Sequence, residues 1–204
     1  MRSLIRTFSA AVLAVATLLG AAQALAQSSG SGLNASGSSW YVPNSTYLGF
    51  NVGKSSYSLG SGAGGFAFDQ RDTSYSLYGG GYFNNNFGVE LGYSNFGRIN
   101  RAGGSTKAEG INLSLVGRLP LNSSFSLLGK VGTTYGRTKV SSVPASGIVA
   151  GRETGFGLSY GVGAEYAFTP NWSAVLQWDE HDLKFPGGSR DGVSSTSVGL
   201  KYRF

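Results

Sequence analysis

Cysteine is absent, histidine occurs once, methionine only as the initiator, and charged residues make up just 13% of the chain. Each shortage removes a class of explanation. Without cysteine, neither disulfides nor thiolate metal sites can hold the fold. With His181 as the lone histidine, the sequence offers no metal ligand set, and it carries no cofactor motif. No apolar run reaches the roughly 20 residues that a transmembrane helix needs. The formal excess of +6 is mild and its bases are scattered, so nucleic acid is not an expected partner. What the chain has in quantity is glycine, 33 residues, and aromatic side chains, 13%.

The N-terminus is read apart from the fold. Arg2 and Arg6 precede an apolar stretch from Phe8 to Leu19 that only Ser9 and Thr17 interrupt. Ala24 and Ala26 then place small residues at the −3 and −1 positions, so cleavage is expected before Gln27. Residues 1–26 thus read as a secretory signal peptide, and without a nearby cysteine the product is not a lipoprotein. Residues 27–39 are Ser/Gly-rich and read as a flexible lead-in, leaving 40–204 as one domain.

From Trp40 onward apolar residues alternate with small or polar ones at period two, the signature of strands. Between Phe156 and Phe168 the alternation runs unbroken, with Phe156, Leu158, Tyr160, Val162, Ala164, Tyr166 and Phe168 on one face and mostly glycine and serine on the other. Eight such segments are expected, at about 46–55, 74–84, 86–97, 107–119, 124–137, 153–168, 171–182 and 193–204. Tight turns at 84–86, 120–123 and 169–171 alternate with long polar connections around 56–73, 98–106, 138–152 and 183–192. Short turns at one end and long loops at the other describe an all-β, eight-stranded antiparallel up-and-down transmembrane barrel.

A soluble barrel would turn its bulky apolar face inward. Here that face also carries aromatics at the strand ends: Phe87, Phe125, Phe168, Trp172 and Phe204 near the short turns, and Tyr93, Phe96, Tyr135, Phe156 and Trp178 near the loops. Two such girdles fit the two interfaces of a bilayer. The opposite face is too small and polar for a dry soluble core, so the expected location is the outer membrane of a Gram-negative bacterium. The last segment ends on Val198, Leu200, Tyr202 and Phe204 in alternation, the kind of terminal strand an assembly machine reads by strand addition.

The chain resembles the OmpA-type transmembrane domain. The resemblance rests on Trp40-Tyr41, Val89-Glu90-Leu91-Gly92-Tyr93 with Phe96-Gly97-Arg98, Lys107-Ala108-Glu109-Gly110, Leu119-Pro120, Gly163 to Pro170, and Tyr202-Arg203-Phe204. It implies a monomeric eight-stranded barrel with a polar interior. Outer-membrane lipid, lipopolysaccharide, periplasmic chaperones and the barrel-assembly machinery are the expected partners. Many members carry a periplasmic peptidoglycan-binding domain, which this chain is expected to lack.

Eight strands leave a lumen only wide enough for side chains to fill. Alternation points Glu90, Glu165 and Asp179 inward with Arg118, Lys130, Lys201 and Arg203, and buried charges must pair. A structural ion-pair network is the plain expectation; a narrow gated path for ions or small solutes is the sharper one. The resemblance implies two opposed glutamates, here Glu90 and Glu165, with bases on neighbouring strands. Lys130 matches one base, whereas Val116 and Val175 stand where two others are expected, leaving Lys201 or Arg118 as substitutes. Enzymatic barrels need a histidine beside a nucleophile or acid. His181 lies in Trp178-Asp179-Glu180-His181-Asp182, but a His-x-Ser spacing fails because residue 183 is leucine, and a solvated histidine at a loop base is expected. Adhesion, or contact with host or phage, would reside in loops bearing Tyr57, Phe66, Phe68, Ile148 and Val149.

Overall fold

The computed structural model describes residues 46–59, 71–101, 104–142, 149–188 and 190–204. The expected signal peptide, its cleavage site and the lead-in lie outside these residues, as do Phe66, Phe68 and Ile148. Eight strands run in chain order: β1 (Thr46–Tyr57), β2 (Arg71–Tyr82), β3 (Phe87–Arg101), β4 (Gly104–Pro120), β5 (Phe125–Ser141), β6 (Gly151–Ala167), β7 (Trp172–Lys184) and β8 (Arg190–Arg203). Each pairs antiparallel with its sequence neighbour, and β1 pairs with β8 to close the barrel.

The tight turns owe their shape to one side chain each. Asn84 accepts the backbone N–H groups of Asn86 and Phe87 at 2.9 and 2.7 Å. Asn122 repeats the arrangement with Ser124 and Phe125 at 2.9 and 2.7 Å, and the Thr169 hydroxyl accepts from Trp172 at 2.9 Å. A short polar side chain that bonds its own backbone fixes a turn locally, so these three connections were readable from sequence.

The other end departs from expectation. The connection expected at 98–106 contracts to residues 102–103, because β3 and β4 continue as a paired ladder from Arg98–Lys107 to Arg101–Gly104. Likewise β5 and β6 pair up to Val140–Gly151, and β7 and β8 up to Lys184–Arg190. Polar composition suggested loops there because the polarity of the two faces inverts. In the belt nearer the tight turns the outward side chains are apolar, such as Leu113, Leu115, Val131 and Val162, while Asn51, Asn112 and Ser114 face inward. Toward the loops, Arg98, Lys107, Lys139 and Arg152 lie on the outside and Ile99, Ala108, Val140, Leu183 and Val193 are buried inside. A strand leaving lipid for water keeps period two but reverses which phase is apolar.

A one-residue bulge in β3 serves this inversion. The register slips between Asn95 and Arg98, and Gly97 adopts φ 76°. Phe96 keeps the inward phase of Glu90, contrary to its expected place in the outer girdle, and is 1% exposed. The extra residue then turns Arg98 outward and Ile99 inward. The Asp72 carboxylate accepts the Arg98 backbone N–H at 2.6 Å, and Asn95 accepts that of Gly97 at 3.0 Å, so the groups a bulge leaves unpaired are satisfied.

Candidate functional site

The lumen is the only place where the fold gathers charged side chains away from water among the described residues, and it is organised in layers. Nearest the tight turns lie two ion-pair clusters. In the first, the Lys130 ammonium on β5 contacts the Glu90 carboxylate on β3 at 2.7 Å. In the second, Glu165 on β6 accepts from Lys201 at 2.8 Å and from the Arg203 guanidinium, both on β8. Glu90, Glu165 and Lys201 are each no more than 2% exposed. Charges so buried are tolerated only with partners, and each carboxylate has one or two.

Two other inward charges are held by neutral side chains. Arg118 donates to the Ser126 hydroxyl at 3.2 Å and lies 5.9 Å from the Tyr82 ring centroid. Asp179 accepts both its hydrogen bonds from the Gln177 amide, at 2.9 and 2.7 Å. Among the described residues neither forms an ion pair. The bases that serve the glutamates are thus Lys130, Lys201 and Arg203, while Val116 and Val175 are buried beside them at 1% and 2% exposure. Val175 sits opposite Glu165 in the β6–β7 register, and Lys201 reaches over that strand to the carboxylate.

Sequence reading missed the tyrosines that knit these clusters together. The Tyr47 hydroxyl donates to Glu90 at 2.9 Å while its ring centroid lies 4.5 Å from the Lys201 ammonium, so one side chain touches both clusters. Tyr78 presents its ring 5.0 Å from Lys130 and donates to the Asn51 side chain at 3.1 Å. Desolvated ammonium groups against aromatic faces are a favourable arrangement. Room for Tyr78 comes from Gly49, where a Cβ would collide with the Tyr78 ring and hydroxyl. The signal was present: Tyr47 shares the phase of Asn51, and Tyr78 that of Ser74 and Tyr82. Treating bulky aromatics as outward residues obscured it.

Above the charges lies a polar middle layer. Asn51 donates to Gln177 at 3.3 Å, and Thr134 pairs with the His181 Nδ1 at 2.8 Å. His181 is 4% exposed and packs edge-on to Phe96 at 4.9 Å between ring centroids. The expected solvated loop-base histidine is therefore a buried residue of β7. It has the inward phase of Val175 and Gln177, and the ladder runs past it to Lys184.

Inside the loop end lies an apolar layer that includes Tyr57, Phe96, Ile99, Leu183, Phe185 and Val193. Tyr57, expected on a surface loop, is 1% exposed within it and donates to the Phe96 carbonyl at 3.0 Å. Its place follows from β1 continuing two residues past the expected end.

On the outside, the expected girdles are otherwise in place: Phe87, Phe168, Trp172 and Phe204 at one end and Tyr135, Phe156 and Trp178 at the other are exposed. Val198, Leu200 and Phe204 share the outward face of β8 at 64%, 51% and 42% exposure, and Tyr202 packs on Trp172 at 4.9 Å.

Comparison with known proteins agrees with this geometry. The outer membrane protein A of Yersinia pseudotuberculosis is 28% identical over 175 residues, covering 79% of this chain and 49% of that protein. The chain therefore spans about half the length of the curated relatives it matches. Among solved structures, Neisserial surface protein A superposes with a TM-score of 0.60 at 16% identity, covering 78% of this chain and 97% of that one. The attachment invasion locus protein Ail of Yersinia pestis gives 0.54 at 20%, covering 80% and 100%. At such identities these two show a shared fold. The family model described as outer membrane protein beta-barrel domain matches residues 11–204. The chain belongs to that family, and is an OmpA-like integral β-barrel of the Gram-negative outer membrane.

Proposed function

We propose that the chain is a closed structural barrel, a monomer that supports envelope integrity and catalyses no reaction. The observation that carries this reading is the apolar layer at the loop end of the lumen, where Tyr57, Phe96, Ile99, Leu183, Phe185 and Val193 are each no more than 1% exposed. An ion crossing there would lose its hydration against mostly apolar side chains, because the Tyr57 and Thr138 hydroxyls are already committed to the Phe96 and Lys184 carbonyls. Beneath that layer the paired glutamates fill the space a water path would use. His181, the one residue that suggested catalysis, is occupied by Thr134 and Phe96.

The test is conductance of the refolded chain in planar bilayers. The expected trace is indistinguishable from bare bilayer, and deletion in the host should raise sensitivity to detergent and osmotic shock. Steady single-channel openings that change with Glu90→Ala or Lys130→Ala would favour the porin-like alternative instead. The proposed partners are outer-leaflet lipopolysaccharide and membrane lipid around the barrel, periplasmic chaperones in transit, and the assembly machinery. The outward face of Val198, Leu200, Tyr202 and Phe204 would supply the signal that machinery reads.

A further inference from the structure

The outer wall of β3 to β6 carries a row of four bases fixed by strand register. Arg98 stands opposite Lys107, Lys107 opposite Lys139, and Lys139 opposite Arg152. Directly opposed residues share a face with their Cβ atoms about 5 Å apart, and like charges so placed repel. Arg98, Lys139 and Arg152 are exposed, and among the described residues they form no ion pair. Lys107 alone meets a carboxylate, that of Glu109 at 3.3 Å. Glu109 is the one acid on the outward face of this wall among the described residues; Glu153 alternates to the other face, opposite the inward Thr138. Glu109 lies below the row and stands directly opposite a fifth base, the exposed Arg137, so the wall is strongly cationic and costs stability unless an anion lies across it.

Their height identifies where that anion comes from. Tyr93, Ile111, Tyr135 and Phe156 form a second row in the same register, all on the outward face, and belong to the loop-end girdle. Lys107, Lys139 and Arg152 each lie four residues further toward the loops, and Arg98 five, the β3 bulge supplying the difference. Four residues of strand rise roughly 13 Å, or about 9 Å along the membrane normal at a tilt near 45°. The aromatic row marks the hydrocarbon boundary, so the bases stand at the level of outer-leaflet headgroups. The bulge is what brings Arg98 there, since without it the residue would point into the lumen.

We propose that the row Arg98, Lys107, Lys139 and Arg152 is a binding site for the phosphates of lipopolysaccharide, the anionic glycolipid of the outer leaflet. The site rests on the membrane orientation with loops outward and on the lipid contact proposed above, and not on whether the lumen conducts. Bases on neighbouring strands form a rigid comb matched to several phosphates on one headgroup, and Glu109 holds Lys107 in place from below.

The test titrates the refolded barrel in neutral detergent with fluorescently labelled lipopolysaccharide, with its enzymatically dephosphorylated form, and with phosphatidylglycerol as competitor. Two double variants are compared: Lys139→Gln with Arg152→Gln in the row, and Lys54→Gln with Arg71→Gln on the β1–β2 wall. Heat-shifted gel mobility verifies folding, and Arg98→Gln with Lys139→Gln replaces the first pair should it fail to fold. The expected result is at least tenfold weaker binding of phosphorylated lipopolysaccharide by the row variant, with the other variant within twofold of the parent. Equal loss in both variants, meaning attraction by net charge alone, would overturn the site. So would equal affinity for dephosphorylated lipopolysaccharide, or full displacement by equimolar phosphatidylglycerol.

Discussion

The Lys201 ammonium spans β7 to reach the Glu165 carboxylate at 2.8 Å, with both side chains 1% exposed. Two strands that share no ladder are thereby tied through the lumen. The strand between them offers Val175 and Ser173 at this level, neither able to neutralise the acid, so the base has to come from β8.

Removing one member of such a pair should cost far more than removing both. Lys201→Met leaves Glu165 with Arg203 alone and is expected to destabilise the barrel by roughly 3 kcal/mol. Lys201→Met combined with Glu165→Gln should recover at least half of that loss. Urea unfolding in detergent micelles, followed by tryptophan fluorescence, measures both.

The Glu90–Lys130 pair should behave in the same way, with one addition. Tyr47 donates to Glu90 and lies against Lys201, so Tyr47→Phe is expected to lower the melting temperature without altering the outer surface. A double-mutant cycle between Tyr47→Phe and Glu90→Gln should give a coupling of about 1 kcal/mol, the excess of a hydrogen bond to a charged acceptor over one to the neutral amide that replaces it. Strict additivity would show that the hydroxyl gains nothing from the charge of Glu90.

Gly97 and Gly188 offer a controlled comparison, because both have positive φ, 76° and 82°. An alanine at 188 meets nothing within 4 Å and pays only for its backbone conformation, about 1 kcal/mol. At 97 a Cβ would also run into the Asp72 carboxylate and the Thr73 carbonyl. Gly97→Ala should therefore lower the thermal midpoint by clearly more than Gly188→Ala, and equal effects would refute the tight fit of the bulge.

Opening the apolar layer should change transport as well as stability. Phe96→Ala removes a ring that packs on His181, at an expected cost of about 3 kcal/mol. If that layer is what closes the lumen, Phe96→Ala should show brief conductance events in planar bilayers where the parent shows none.

Much of the architecture is legible in the sequence. Strict alternation from Phe156 to Phe168, the side-chain-capped turns at Asn84, Asn122 and Thr169, and the aromatic ends of β7 and β8 depend on nearest neighbours, which the sequence displays directly. The inward phase of Glu90, Lys130, Glu165 and Lys201 follows from counting by twos. Counting fails where a residue is inserted, and it misleads where polarity inverts. Phe96, Tyr57 and His181 were misplaced for these reasons: the strand continued past the membrane with its apolar phase turned inside.

By itself, then, the sequence determined an eight-stranded outer-membrane barrel and the set of charges its lumen must hold, because period two and turn chemistry are local properties. Only the tertiary structure decided which base meets which acid, that an apolar layer gathers at the loop end, and that four bases align on one wall. Those outcomes depend on strand register around a closed ring, where residues more than a hundred positions apart, such as Asn51 and Gln177, become neighbours. One bulge at Gly97 resets which side of the wall every later residue of β3 faces.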